Sequence, residues 1–298
     1  MSLRIIYLNI KVTNMLQDNY VVGVDIGGTH ISACIIDTKQ WNIHLENVVR
    51  NHVFSQGDAK TILHTWASTI QDIVGSAPTA IQFVGIAMPG PFDYENGVSK
   101  MLGQSKYDNL YNKDVKSLLS AELGLEPTAI HFINDAAAFL QGEIFVQNLQ
   151  SHARILGITL GTGLGSSVWN QGEKAFDADL WNTPYQDSIF EEYLVTRWFV
   201  KRFKEITGKD VTGLKQILDN YRETAGFKTI KDEYATHLFD FMEFFAAKYQ
   251  TNIFIMGGNI AKALPIFIAD REEFNKFKIH TAILGEKAAM IGAASIFS

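Results

Sequence analysis

Two stretches of the chain share one plan: an apolar strand, a glycine turn, then a returning strand. In the first, Val21-Val22-Gly23-Val24-Asp25-Ile26 leads into Gly27-Gly28-Thr29 and returns through Ile31 to Ile36. In the second, Ile155-Leu156-Gly157-Ile158-Thr159-Leu160 leads into Gly161-Thr162-Gly163-Leu164-Gly165 and returns through Ser166-Ser167-Val168-Trp169. Runs rich in β-branched residues fit a pleated strand. A strand, not a helix, follows each set of glycines, and no Gly-Lys-Ser/Thr completes either, so neither is the phosphate loop of the P-loop enzymes. Hairpins about 130 residues apart imply two related half-molecules, a repeat at the scale of a domain. Length agrees: 298 residues, 47% of them hydrophobic, exceed the roughly 250 at which single cores stop growing.

Between and after the hairpins the pattern is α/β. Phe83 to Met88 reads as a strand ending at Pro89-Gly90-Pro91, Asp114 to Leu123 as a helix, Ile130 to Ile133 as a strand and Ala136 to Val146 as a helix. Helices are expected over about 188–206, 213–224 and 232–249, then a strand from Asn252 to Met256, a turn at Gly257-Gly258 and a helix beginning near Asn259. The last element, Gly285 to Phe297, is a helix of small residues able to lie close to a neighbour. Residues 1–17 stand outside this reading, and Met15 is a second candidate start.

Charge and cysteine content exclude several classes. A net charge of −6 gives no basic footprint for nucleic acid, and Lys201-Arg202-Phe203-Lys204 reads as a solvated helix face. A single cysteine, Cys34, rules out an internal disulfide and speaks against a cysteine-based metal site. That fits a cytoplasmic protein, as does the lack of an evident secretory signal. No apolar run reaches the roughly 18 residues of a membrane span.

Three glycine turns, Gly27-Gly28, Gly161 to Gly165 and Gly257-Gly258, each follow a strand. Glycine lets the backbone approach a ligand, and successive exposed amides make anion-binding hollows. Any one of them could be an ordinary hairpin turn; three together point to phosphate. Asp25, ending the first strand, either partners Mg2+ through water or bonds the turn amides. Asn134-Asp135 stands where a strand becomes a helix. Both residue types are good helix caps, yet strand carboxyl ends also bind ligands. A helix N-terminus favours an ionised carboxylate, so Asp135 is expected to be deprotonated and fit to accept a hydroxyl proton. Phosphoryl transfer asks for positioning, charge neutralisation and one such base. Met88-Pro89-Gly90-Pro91-Phe92-Asp93 is either a structural turn or the rim of a cleft.

In order and spacing these segments resemble the ROK family of sugar kinases, within the actin-like/hexokinase superfamily. Val24-Asp25-Ile26-Gly27-Gly28-Thr29 is similar to its first phosphate motif, Gly85 to Pro91 to its sugar-side glycine-proline segment, and Asn134 to Ala138, followed by Gly142-Glu143, to its catalytic motif. Leu160 to Gly165 is similar to the second phosphate motif, and Ile255 to Ile260 to the adenosine motif. The resemblance implies an α/β fold of two actin-like (ribonuclease H-like) domains around a central cleft. The smaller would comprise residues 18–133 with 285–298, and the larger, nucleotide-bearing one 134–284. It further implies ATP with Mg2+, a hexose or N-acetylhexosamine as acceptor, Asp135 as general base, and a homodimer. Site residues follow motif by motif: Asn134, Gly90, Asn109 and Glu191 for the sugar; Gly27, Gly28, Thr29, Gly161, Thr162, Gly163, Gly257, Gly258 and Asn259 for the nucleotide; Asp25 for Mg2+ through water.

The chain also departs from the family pattern. Many members carry a zinc motif of one His and three Cys after the second hairpin, whereas Trp169 to Glu192 contains neither residue, so no zinc is expected. Its sugar-contacting His is lost or replaced, with Trp181-Asn182-Thr183-Pro184-Tyr185 as a candidate replacement. The sugar-binding Glu falls at Glu191 or Glu192, with Tyr193 favouring Glu191; both could instead lie on a solvated helix face. His30 carries no assigned role. Lys106 to Tyr111 matches the usual Asn-Leu-x-x-Trp loop poorly, leaving Asn109 as its candidate. A silent sugar or nucleotide sensor of the same fold is the alternative to a kinase. A sugar-responsive repressor would need a helix-turn-helix for which the segment ahead of the first motif is too short.

Overall fold

The computed structural model describes residues 19–298. Met15, the candidate start, and residue 18, the expected beginning of the first domain, lie outside the described residues. The chain forms two compact units: the described residues up to Leu149 with Glu286–Ser298, and Gln150–Gly285.

In the first unit, β1 (Tyr20–Ile26), β2 (His30–Asp37) and β3 (Asn42–His52) form an antiparallel meander. Helix α1 (Ala59–Val74) leads to β4 (Val84–Met88), which lies parallel to β1. A short hairpin, β5 (Phe92–Asp93) and β6 (Val98–Ser99), precedes α2 (Val115–Leu123), β7 (Ile130–Asn134) and α3 (Asp135–Val146). The sheet order is β3-β2-β1-β4-β7. All of β4 is buried, as its unbroken apolar run dictates for a parallel strand covered on both faces. Helix α1 starts at Asp58, whose carboxylate accepts from the Thr61 amide at 2.7 Å. It buries Ile62, Leu63, Trp66, Ile70 and Ile73, one face of a 3.6-residue period.

The second unit repeats this plan. β8 (Arg154–Leu160), β9 (Leu164–Asn170) and β10 (Phe176–Asp177) form its meander. After a small hairpin, β11 (Pro184–Tyr185) and β12 (Ser188–Ile189), come α4 (Phe190–Leu194), α5 (Thr196–Thr207), α6 (Leu214–Tyr221) and α7 (Ala225–Tyr249). Strand β13 (Ile253–Gly257), helix α8 (Leu264–Ile268) and strand β14 (Lys278–Thr281) complete it. The order β10-β9-β8-β13-β14, with β13 parallel to both neighbours, matches the first sheet strand for strand.

Three helix expectations change. The helix expected over 188–206 is two, because Val195 is extended (φ −111°, ψ 171°) where Thr196 turns to bond Gly161. The helix expected from 232 starts at Ala225, capped by Thr224, since Phe227 and Ile230 continue its buried face. After Asn259 the chain makes a 3-10 turn, Ala261–Ala263, before α8.

The final helix, α9 (Lys287–Ala294), belongs to the first unit. A Cβ added at Gly85 of β4 would collide with the Ala293 carbonyl, and one at Gly292 with the Ala138 carbonyl of α3. The small residues of α9 and α3 thus let two helix backbones and a strand approach more closely than side chains would permit. Because α3 packs on α9, the division falls after Leu149 rather than between residues 133 and 134. Among the described residues the first unit is therefore the longer, opposite to the expected order of size. Among those residues no helix is long and apolar enough to cross a membrane.

Candidate active site

In the first unit the candidate residues converge at the carboxyl ends of three adjacent parallel strands. Asp25 of β1 is in register with Ala87 of β4, and Ala87 with Ile133 of β7. Strands spaced about 4.8 Å apart put Asp25 and Ile133 roughly 10 Å apart, and the chain turns into α3 just beyond Ile133. This is the edge where open α/β sheets bind ligands.

Asn134 is the helix cap. Its side-chain oxygen accepts from the amides of Ala136 (2.9 Å) and Ala137 (3.1 Å), and its Nδ2 donates to the Tyr94 hydroxyl at 3.3 Å. Asp135 is thereby relieved of capping and begins the helix. Its Oδ1 accepts from the Ala136 amide at 2.8 Å, and the side chain reaches solvent. Even so, the protein packed around it raises its carboxyl above the ordinary range, against the opposing pull of the Ala136 N–H and the Lys106 charge. The helix N-terminus favours the ionised carboxylate, as expected, while the protein packed around it pulls more strongly the other way. A carboxyl moved towards neutrality is a better match for a proton acceptor.

Asp25 is pushed up to about 6, first by burial, then by the charges of Asp135 and Glu286, with Arg50 opposing. Arg50 and Glu286 are themselves paired at 2.9 Å. Three carboxylates crowding one region favour a cation. Among the described residues no three His, Cys, Asp or Glu side chains are grouped to cage a metal. A divalent ion here would take its remaining ligands from water and phosphate, which is how Mg2+ binds. The residues therefore fit an outer-shell role for Asp25.

The Gly27-Gly28-Thr29 turn is closed by the Gly27 amide donating to the His30 carbonyl at 2.9 Å, and Thr29 is exposed. The Tyr107 hydroxyl donates to the Gly27 carbonyl at 2.5 Å. Gly90 lies near Asn134 through Tyr94: the Tyr94 hydroxyl would sit 3.2 Å from a Cβ at Gly90 and donates to the Met88 carbonyl at 3.2 Å. Asn109 is held elsewhere, donating to the carbonyls of Gln56 (3.3 Å) and Gly57 (2.9 Å). The structure thus gathers Asp25, Gly27, Gly28, Thr29, Gly90, Asn134 and Asp135 at one edge, with Asn109 bracing a neighbouring loop.

In the second unit two glycine turns abut. Gly258 has φ +89°, and a Cβ there would strike the Leu160 carbonyl at the end of β8. The Ile260 amide donates to that same carbonyl at 3.1 Å. Gly257, Gly258 and Asn259 therefore lie beside Gly161, Thr162 and Gly163, and Asn259 accepts from Lys262 at 2.9 Å. Glu191 serves this turn. Its Oε2 accepts from the Leu164 amide at 2.9 Å, and its Oε1 pairs with Arg197 at 2.7 Å. Arg197 also donates to the Thr162 carbonyl at 3.2 Å, while Thr196 donates to Gly161 through both its amide (2.8 Å) and its hydroxyl (2.9 Å). Within the 181–185 segment, Tyr185 stacks on Phe190 at 4.3 Å and donates to Asp240 of α7 at 2.6 Å. Trp181 stays exposed, and its indole N–H donates to Asp179 at 2.7 Å.

Sequence reasoning passes over Lys106 and Arg197. Lys106 stands in an irregular loop and Arg197 within the helix expected over 188–206, and an isolated basic residue carries no signal of a role until the chain is folded.

A family model described as the ROK family matches residues 21–176. The glucokinase of Thermotoga maritima is 30% identical over 152 residues, covering 51% of this chain and 45% of that protein. The N-acetyl-D-glucosamine kinase of Haemophilus influenzae is 30% identical over 154 residues, covering 51% and 46%. The chain thus spans about half the length of these curated relatives. A putative sugar kinase from Cytophaga hutchinsonii superposes over 93% of this chain and 99% of that one with a TM-score of 0.77, at 18% identity, a likeness of fold.

Proposed function

This chain belongs to the ROK family, and from that premise we propose that it is an ATP-dependent kinase acting on a hydroxyl of a hexose or N-acetylhexosamine. The observation that carries the reading is the division of labour at the end of β7. Asn134 takes the capping bonds, and Asp135 presents a solvent-reaching carboxylate of raised pKa at the carboxyl edge of the sheet.

In this reading Asp135 accepts the proton of the sugar hydroxyl as its oxygen forms a bond to the γ-phosphorus of ATP. The bond from that phosphorus to the bridging oxygen breaks, and ADP leaves with the electron pair. Asn134 and the Gly90 turn flank the sugar. Within the first unit Gly27, Gly28 and Thr29 offer amides and a hydroxyl suited to phosphate; within the second, Gly161, Thr162 and Gly163 offer the same, and Gly257, Gly258 and Asn259 beside them suit the adenosine. Asp25 would hold Mg2+ through water, and the ion, when bound, would neutralise phosphate charge. Glu191 and Asn109, expected at the sugar, have side chains bonded to the turn and to the loop that they brace, and act through these. The relatives support the acceptor class, being named for glucose and N-acetyl-D-glucosamine. By the family resemblance the working form is a homodimer, and ATP use together with a single buried cysteine suits the cytoplasm.

ADP release measured over a panel of hexoses and N-acetylhexosamines tests the reading. Stimulation by at least one sugar is expected. Binding of sugar and ATP with no turnover on any of them would replace the kinase by a silent sensor.

A further inference from the structure

We propose that Lys106 is a further catalytic residue, whose ammonium meets the γ-phosphoryl group from above the Gly27-Gly28-Thr29 turn. The inference rests on the kinase reading.

The loop around Lys106 is built to hold that side chain. Its Cδ lies 3.8 Å from a Cβ placed at Gly28, so the aliphatic stem crosses the turn at van der Waals distance. Both neighbours are fixed. The Ser105 carbonyl accepts from Gln56 at 3.2 Å. Tyr107 donates its amide to the Ser55 carbonyl at 2.7 Å and its hydroxyl to Gly27 at 2.5 Å. Tyr107 is fully buried and meets the Trp66 ring edge-on at 5.3 Å. Ser105 (φ 59°) and Tyr107 (φ 58°) are both left-handed, a conformation that disfavours side-chain-bearing residues and persists only where the surroundings impose it. Two such residues flanking one lysine aim it deliberately.

The ammonium has no ion-pair partner within bonding distance among the described residues, and the residue is half-buried. A half-buried lysine left unpaired in a region holding Asp25, Asp135 and Glu286 is a cation reserved for an anion that arrives. Its charge already acts on Asp135, favouring the ionised carboxylate. The hydroxyl proton goes to Asp135, the new oxygen–phosphorus bond forms as the old one breaks, and Lys106 offsets charge on the phosphoryl oxygens, as positioned cations do in such reactions.

The test pairs Lys106→Met, which keeps the stem on Gly28 and removes the charge, with Lys106→Arg, which keeps the charge. AMP-PNP and ADP binding are measured by calorimetry, and turnover by ADP release with the best sugar. Lys106→Met is expected to bind AMP-PNP about tenfold more weakly with ADP affinity unchanged, because a charge-assisted contact to the γ-phosphate is lost. Its kcat is expected to fall about 10²-fold and to be partly restored in Lys106→Arg, while the KM for sugar stays in place. Undiminished AMP-PNP affinity in Lys106→Met overturns the proposal. If wild-type protein phosphorylates no sugar, the kinase reading fails, and the AMP-PNP against ADP comparison still decides whether Lys106 touches the γ-phosphate.

Discussion

The Tyr107 hydroxyl donates to the Gly27 carbonyl at 2.5 Å, joining the first glycine turn to a loop eighty positions further along the chain. Tyr107→Phe keeps the ring against Trp66 and leaves a carbonyl without its donor. A loss of about 1 kcal/mol is expected, read as a melting temperature lower by about 2–4 °C. AMP-PNP affinity should fall several-fold as the turn loosens. Unchanged melting and binding would mean that water replaces the hydroxyl at no cost.

Asp25 makes stability depend on pH. Its folded pKa is about 6 against an ordinary 3.8, so between those values the folded protein binds more protons than the unfolded one. Stability from this group is therefore present below about pH 4 and is lost as pH rises to 6 and just beyond. Ionising it at neutral pH costs on the order of 2 kcal/mol, after allowance for the water that reaches it. Without nucleotide or Mg2+, Asp25→Asn should melt about 4 °C or more above wild type at pH 7.5, with the gap closing near pH 4. Mg2+-dependent nucleotide binding should weaken in the same variant. A gap that widens towards acid would contradict a raised Asp25 pKa in the folded protein.

Gly258 tolerates no side chain where it stands. Gly258→Ala combines a disfavoured φ of +89° with a clash at the Leu160 carbonyl. The strain alone is about 1–3 kcal/mol, and the clash forces the 257–259 turn away from β8. ATP affinity should drop at least about tenfold by calorimetry, alongside a lower melting temperature. Retention of both would show that the turn can shift without penalty.

The parts of the fold legible in sequence are those with short-range signatures. Strand β4 is an unbroken apolar run, β1 and β7 are largely apolar, and glycine turns lie at the ends of β1, β8 and β13, so the sheet edges and the phosphate turns can be placed directly. Strand β3 escapes because only Ile43 of its eleven residues is buried, which leaves no alternation to read. Helix α1 does carry a signal, the Asp58 cap and the spacing from Ile62 to Ile73, and it is recoverable on a closer reading of 58–74. The break at Val195 and the role of Glu191 depend on bonds to the Gly161 and Leu164 backbone, which no local pattern encodes. Asn134 and Asp135 are a middle case. Their position is legible, but the split between cap and free carboxylate depends on side-chain geometry. Lys106 is the extreme case, a lysine in an irregular loop whose importance comes from the Tyr107 and Ser55 contacts that hold it.

The most direct test of the account is the turnover of Asp135→Asn beside wild type in the ADP-release assay across pH. Asp135 acts as a base only when ionised, and its pKa is raised. Wild-type kcat/KM should therefore fall on the acid side at a pH above the ordinary carboxylate range. The variant should lose at least ~10²-fold in kcat and lack that limb, with AMP-PNP binding retained. A variant with full activity and the same acid limb would contradict Asp135 as the base.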